Sequence, residues 1–231
     1  MSLRILLVGP SFQLVGGLVT YVAGLKAYLD RQDSLEVAYF DETGHKRYSD
    51  WTGASWWRRL QGSLRGMWAL RRVVREYRPD VVHLHAARGR SIDEKAAMAR
   101  VVTRMGSGCV VHMHGLGPEF PTSSLVRRAC LSRLLGPPTS IVCLSHSLQT
   151  TLARGLPAAR SVVLPNAIDP PDEWTVPRWQ PRVVGFAAYL SGEKGERDLV
   201  EACGHLHNIE FELRVAGDGP FRLAMQREAA S

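Results

Sequence analysis

The stretch "VVHMHG" at residues 110–115 is an apolar run of strand length that ends in two histidines and a glycine, and "VVHLH" at residues 81–85 has the same form. Because side chains alternate across a β-strand, His83 and His85 point to one face of their strand. By the same alternation, His112 and His114 point to one face of theirs. These residues could be metal ligands, core residues or the floor of a substrate cleft.

Apolar runs of strand length alternate with segments of helical period along the first 168 residues, a pattern typical of βαβ units around a parallel sheet. Strands are predicted near residues 3–9, 35–41, 80–86, 109–115, 139–144 and 160–165. Helices are predicted near residues 16–31, 55–77, 91–105, 122–136 and 145–154. The predicted class is therefore α/β, with a Rossmann-like, doubly wound parallel sheet as the first domain, residues 1–168.

A proline-rich segment follows this domain. Residues 165–181 contain five prolines, so regular structure is expected to lapse there, and we predict an interdomain linker over residues 169–181. Strand, helix, strand and helix patterns then follow over residues 182–231. Because about 50 residues bury too little apolar surface for an independent domain, we interpret them as the start of an incomplete second Rossmann-like domain.

The positive charge belongs to the first domain. Residues 1–168 contain 22 Lys and Arg against 11 Asp and Glu, whereas residues 169–231 contain 7 against 11. A surplus of this size predicts affinity for phosphates on nucleic acid, anionic lipid or a phosphorylated substrate. The absence of zinc-finger spacing and of an RNA-recognition signature argues against nucleic acid as the partner.

The sequence has no apolar run long enough to span a bilayer and no signal-peptide pattern, so we expect a cytoplasmic protein. Its four cysteines are scattered, which indicates reduced thiols. The predicted helix over residues 55–77 has Trp56, Trp57, Arg58 and Arg59 at its start, residue types that suit the inner face of a membrane. The alternative is an ordinary helix whose apolar stripe covers the sheet.

Two glycine-containing turns precede predicted helices. Gly16 and Gly17 would let backbone N–H groups approach an anion at the positive end of the first helix, or would simply form the turn. Lys194 lies at the start of a helix in the second domain, where it could meet a diphosphate. The alternative is a surface lysine paired with Glu193 or Asp198.

The histidines allow three interpretations. A metal site needs three or more converging ligands, and because the other candidate pair, His205 and His207, lies in the second domain, we predict no metal. His83 and His112 are expected to pack inside with hydrogen bonds. His85 and His114 lie nearest the carboxyl ends of their strands, where open α/β sheets bind ligands, so we expect them to line a crevice.

Seven motifs in order resemble glycosyltransferase family 4, the retaining enzymes with the two-domain GT-B fold. They are "GG" at 16–17, "PDVVHLH" at 79–85, "VVHMHG" at 110–115, "CLSHSL" at 143–148, "VVLPNAID" at 162–169, "GEKG" at 192–195 and "AGDGP" at 216–220. The resemblance implies transfer of a sugar from a nucleotide-sugar donor to a polysaccharide or lipid-linked acceptor, with no cofactor and no obligatory metal.

The resemblance also implies roles for particular residues. His114 matches the family's catalytic histidine near the transferred sugar. Gly16, Gly17 and Asn166 would contact the donor, and Lys194 would neutralise the diphosphate of the leaving group. His85 and Arg88 are candidates on the acceptor side, where the basic first domain suits a phosphorylated glycan acceptor.

The sequence departs from the family pattern. It ends before the Glu-x7-Glu motif that holds the donor, Tyr189 replaces the usual basic residue, and Ala167 replaces the glycine of the "NG" pair. We therefore expect a shortened enzyme, one half of a split enzyme completed by a second chain, or a non-catalytic module that binds sugar or a partner. Another GT-B activity, such as sugar epimerisation, is a further alternative.

Overall fold

The computed structural model describes residues 2–43, 56–117, 120, 124–168, 182–206 and 208–229. The chain divides into two compact units, Met1–Asp169 and Pro170–Ser231. The predicted linker over residues 169–181 lies outside the described residues. No helix within the described ranges is both long enough and apolar enough to cross a membrane.

The first unit is a six-stranded parallel sheet with helices between its strands. The strands are β1 (Leu3–Gly9), β2 (Leu35–Asp41), β3 (Val81–Ala86), β4 (Gly108–Met113), β5 (Ser140–Cys143) and β6 (Arg160–Val163). The helices are α1 (Gly17–Asp30), α2 (Trp56–Tyr77), α3 (Arg90–Arg104), α4 (Leu125–Leu134) and α5 (His146–Gly155). The predicted α/β class is confirmed. The bounds differ most at α4, which was expected over residues 122–136.

The strand order explains where a site can form. The strands run β2-β1-β3-β4-β5-β6, so the chain first moves outward from β1 to β2 and then returns to the other side of β1. This reversal separates the loops that follow β1 and β3 at their carboxyl ends. Open α/β sheets bind ligands in the crevice at such a switch point.

The two faces of the sheet differ in chemistry. On one face, alternate residues of the central strands join a buried apolar cluster with α3; they include Val82, Leu84, Ala86, Val111 and Met113. The residues between them point to the opposite face, because adjacent side chains of a strand alternate. On that face Tyr21 of α1 packs against the rings of His85, His112 and His114.

The second unit is a parallel pair of strands, β7 (Val183–Ala187) and β8 (Glu212–Ala216), with α6 (Glu196–Gly204) and α7 (Arg222–Ala229). Its sheet is separate from the six-stranded one. In the turn after β8, a Cβ atom added at Gly217 would lie 1.9 Å from the Ala188 carbonyl oxygen, and one at Gly219 would lie 2.3 Å from that of Leu190. The "AGDGP" turn therefore needs glycine for close backbone packing.

Candidate functional site

Four histidines at the carboxyl ends of β3 and β4 form one continuous group, which we call the histidine layer: His83, His85, His112 and His114. His83 and His85 stack with ring centroids 4.4 Å apart, and His112 and His114 do so at 4.5 Å. His85 and His112 are register partners on neighbouring parallel strands, with centroids 5.4 Å apart. The motifs at residues 81–85 and 110–115 are therefore neighbours in the sheet.

Helix α1 covers the histidine layer. The Tyr21 ring lies edge-on to His112 and His114, with centroid distances of 5.2 Å to each. Tyr21 follows Gly17 by four residues, which is about 6 Å along a helix. The amino terminus of α1 therefore lies about one helical turn from the residue whose ring contacts the histidines.

Burial keeps the histidine layer neutral. His85 and His112 are fully buried, and His83 and His114 are partly exposed. Burial lowers the pKa of His83 to about 3, with a further contribution from the neighbouring His112 and His114. Burial also lowers the pKa of His112 and of His114 to about 4, and that of His85 still further.

His85 and His114 form a hydrogen bond. The His85 Nδ1 and His114 Nε2 atoms are 3.1 Å apart, so one neutral ring donates its N–H to the other. His114 was expected to line a crevice, and its partial exposure agrees with that position. His85 was expected there too, but its side chain is fully buried, because α1 and the neighbouring histidines enclose it. His85 therefore lies behind His114 and contacts it through this hydrogen bond.

The inner histidines differ from the prediction in one respect. His112 packs inside as expected and His83 is partly exposed, but His83 Nε2 and both ring nitrogens of His112 are buried without a hydrogen-bond partner within the described residues. No metal was predicted, because the other histidine pair lies in the second domain. The β3–β4 register places His112 beside His85, however, so three histidines of the first unit lie close together.

The amino terminus of α1 is open for a ligand. Gly16 provides no side-chain cap, and the first turn of α1 has no acidic residue. A Cβ atom added at Gly16 or at Gly17 would meet nothing within 4 Å. The first N–H groups of a helix have no partners within the helix and attract anions, so this end of α1 is suited to bind a phosphate or a sugar hydroxyl.

A buried ion pair lies near the histidine layer and was missed in the sequence analysis. Lys95 of α3 is 1% exposed and pairs with Glu42, which follows β2. Burial raises the pKa of the Glu42 carboxyl, an effect that the charge of Lys95 opposes. The burial of Lys95, though not its partner, could have been predicted, because Lys95 lies on the apolar stripe of α3 between the buried Ile92 and Ala99.

Two other predicted residues of the first unit, Arg88 and Asn166, are at the surface. Arg88 is exposed, and its Cβ lies 3.7 Å from the position of a Cβ added at Gly115, so it lies beside the loop of His114. Asn166 is exposed after β6. The side chains predicted to contact a membrane lie outside the described part of the chain; they are Trp56, Trp57, Arg58 and Arg59.

In the second unit, Lys194 is exposed in the turn before α6. Neither Glu193 nor Asp198 forms an ion pair with it within the described ranges, contrary to the surface-pair alternative. The turn is held by Glu196, a buried residue that was not predicted, whose carboxylate accepts from Gly192 N at 3.0 Å and Lys194 N at 2.7 Å. Burial acts to raise the pKa of Glu196, but these backbone hydrogen bonds lower it overall.

Solved structures share this fold. A structure described as trehalose-6-phosphate from E. coli bound with UDP-2-fluoro glucose is 15% identical, with a TM-score of 0.58 over 98% of this chain and 68% of that chain. A trehalose-6-phosphate synthase studied with bisubstrate glycomimetics is 13% identical, with a TM-score of 0.59 and the same coverage. At this level of identity the likeness defines the class of fold, the GT-B fold built from Rossmann-like units, and no more.

The sequence comparison gives the family. The family described as Glycosyltransferase Family 4 matches residues 15–171, a range that includes Gly16, Gly17 and the whole histidine layer. The chain belongs to Glycosyltransferase Family 4. The resemblance inferred from the seven motifs is therefore confirmed, and with it the assignment of the chain to a glycosyltransferase family. No curated protein matches the sequence.

Proposed function

We propose that this chain transfers a sugar from a nucleotide-sugar donor to a phosphorylated or lipid-linked glycan acceptor, with retention of the anomeric configuration. The observation that carries the proposal is the position of His114. It lies at the carboxyl end of β4 and contacts Tyr21, which is one helical turn from the uncapped amino terminus of α1, in a member of Glycosyltransferase Family 4. A donor sugar at His114 would place its phosphates within reach of that helix end.

The donor roles follow from local chemistry. Gly16 and Gly17 leave room for the donor, and the N–H groups of α1 bind its oxygen atoms. Lys194 is an exposed cation that offsets the negative charge of the departing diphosphate. Asn166 offers an exposed amide to the donor. A UDP sugar bound to a protein of the same fold supports a nucleotide-sugar donor.

The acceptor is proposed from charge. The surplus of positive residues over residues 1–168 favours an acceptor with phosphate groups. Arg88 is exposed beside the loop of His114, where its guanidinium can bind a phosphate by two parallel hydrogen bonds. His85 supports this site indirectly, by holding the His114 ring through their hydrogen bond. Membrane contact through Trp56, Trp57, Arg58 and Arg59 would bring the protein to a lipid-linked acceptor.

Release of nucleoside diphosphate tests the proposal. The chain is incubated with a panel of nucleotide sugars, and the wild type is compared with His114→Ala and with His146→Ala, an exposed histidine outside the layer. We expect His114→Ala to lower kcat by about 100-fold or more, because it removes a polar group beside the reacting sugar, and His146→Ala to leave kcat unchanged. Equal kcat for His114→Ala and the wild type would contradict the role of His114.

A binding experiment separates a transferase from a non-catalytic module. Calorimetric titration with nucleoside diphosphates should show binding by the wild type. Lys194→Ala should weaken it by about tenfold, the loss of one charge-assisted contact, while Arg227→Ala in α7 removes the same charge without effect. A chain that binds no nucleotide but binds glycans would support the module instead.

The anomeric configuration of the product, read by NMR, tests retention.

A further inference from the structure

The histidine layer contains an unusual group of unpaired nitrogens. Six buried side-chain polar atoms lack a hydrogen-bond partner within the described residues, and four of them are ring nitrogens of His83, His85 and His112. Buried polar groups in proteins are almost always paired, so each exception requires an explanation. A bound ion would account for three of these nitrogens together, one from each histidine.

The spacing of the three residues suits a metal ion. His83 and His85 project from the same face of β3, and His112 is the register partner of His85 on β4. One ring nitrogen of each lies within 4.8 Å of the others. A tetrahedral zinc ion with Zn–N bonds of about 2.0–2.1 Å needs nitrogens roughly 3.4 Å apart. The rings therefore need to converge by only about 1.4 Å, which rotation about their soft χ2 torsions can supply.

The ligand chemistry selects the class of metal. Neutral imidazoles suit Zn²⁺, Cu²⁺, Ni²⁺ and Fe²⁺, whereas Mg²⁺ and Ca²⁺ require oxygen ligands, and none is present among the three residues. Three histidines also leave a fourth coordination position for water or a ligand. We propose that His83, His85 and His112 bind one divalent transition-metal ion of the zinc class.

His114 would not bind the ion itself but would accept a hydrogen bond from His85, which does. When His85 binds the metal through its unpaired Nε2, its Nδ1 must carry the proton and donate to His114 Nε2 at 3.1 Å. Metal-binding histidines generally donate their second ring nitrogen to such an acceptor, which fixes the ring orientation. The ion would thereby determine which nitrogen of His114 carries its proton.

Metal titration of the full chain, free of any affinity tag, tests the site. After treatment with EDTA and dialysis, Zn²⁺ is added in a calorimeter and Co²⁺ in a spectrophotometer. We expect one equivalent of either ion per chain, and a Co²⁺ spectrum typical of a nitrogen-ligated tetrahedral site without thiolate bands from the exposed Cys130. Absence of binding, or a thiolate spectrum, would overturn the proposal.

Substitution of single histidines tests which residues bind the ion. His83→Gln and His112→Gln should each weaken Zn²⁺ binding by more than about 100-fold, and His114→Gln by about 10–100-fold, the usual loss when an outer partner is removed. His146→Gln is the matched control and should bind as the wild type does. Unchanged affinity in both His83→Gln and His112→Gln would overturn the assignment of the ligands.

A measurement on the wild type keeps the test independent of how the variants fold. X-ray absorption at the zinc edge of the loaded wild-type chain should show a first shell of nitrogen and oxygen with the multiple scattering of about three imidazoles. A first shell with fewer than two imidazoles would contradict the site, whatever the variants show. Circular dichroism of each variant separates loss of a ligand from loss of the fold.

Discussion

The two faces of the central sheet are built from the same strands but have different roles. On one face, Val82, Leu84 and Ala86 of β3 join an apolar cluster that is closed by α3. On the other, His83 and His85 of the same strand meet Tyr21 of α1 and leave ring nitrogens unpaired. Burial of apolar side chains stabilises a fold, whereas burial of unpaired polar atoms destabilises it.

Along β3, residues that stabilise the fold alternate with residues of the candidate site. Residues of β3 alternate between the two faces, so a two-residue repeat supplies the core on one side and the candidate site on the other. The histidine face tolerates poor hydrogen bonding because the apolar face supplies the stability. Because stability does not explain the burial of unpaired ring nitrogens, we assign function to the histidine layer.

The largest expected effect is the loss of stability in acid. An unfolded histidine binds a proton with a pKa near 6.5, whereas folded His83 does so only near 3 and His112 and His114 near 4. Between these values the unfolded state binds more protons, so stability falls as pH falls below about 6.5. Each of these histidines should contribute at most about 1.4 kcal/mol per pH unit between these values, and less where it is partly exposed to solvent. Urea unfolding of the metal-free protein at a series of pH values measures this slope.

A truncation on the apolar face should have the next largest effect. Leu84→Ala removes a fully buried side chain from the centre of the cluster and leaves a cavity, so we expect a loss of about 2–5 kcal/mol in the free energy of unfolding. Val15→Ala, at a highly exposed position, should change stability by less than about 0.5 kcal/mol. A loss below about 1 kcal/mol for Leu84→Ala would show that the apolar cluster is not the source of stability.

A substitution on the histidine face should cost far less. His112→Phe keeps an aromatic ring edge-on to Tyr21 and removes two unpaired nitrogens, so at pH 7.5 the metal-free protein should change by less than about 1 kcal/mol. The variant should also lose about 1.4 kcal/mol per pH unit of the acid dependence below pH 6.5. A large loss of stability at pH 7.5 would mean that the histidine layer is structural.

The smallest effect is expected far from both faces. Arg72 and Glu76 of α2 form an exposed ion pair at 2.7 Å, one turn apart. Exposed pairs of this kind contribute little, so Arg72→Ala should lower stability only slightly, and added salt should reduce the difference. Chemical unfolding at low and high salt measures it.

Much of the fold could be predicted from the sequence because alternation of apolar strands and amphipathic helices is a local signal. The predicted bounds of β1 and β2 agree with the structure residue for residue. The grouping of the histidines could be foreseen only in part, since alternation pairs His83 with His85 but says nothing about the register between strands. The pair of Lys95 with Glu42 joins residues 53 positions apart, which no local pattern reveals.

The central claim is that burial in the histidine layer keeps its imidazoles neutral and available for chemistry. The direct test is NMR of the histidine side chains in metal-free protein titrated from pH 7.5 to pH 4.5. The account predicts that His83, His112 and His114 remain neutral throughout most of this range, with pKa values of about 3 to 4. Titration of these three rings with pKa values near 6.5 would contradict it.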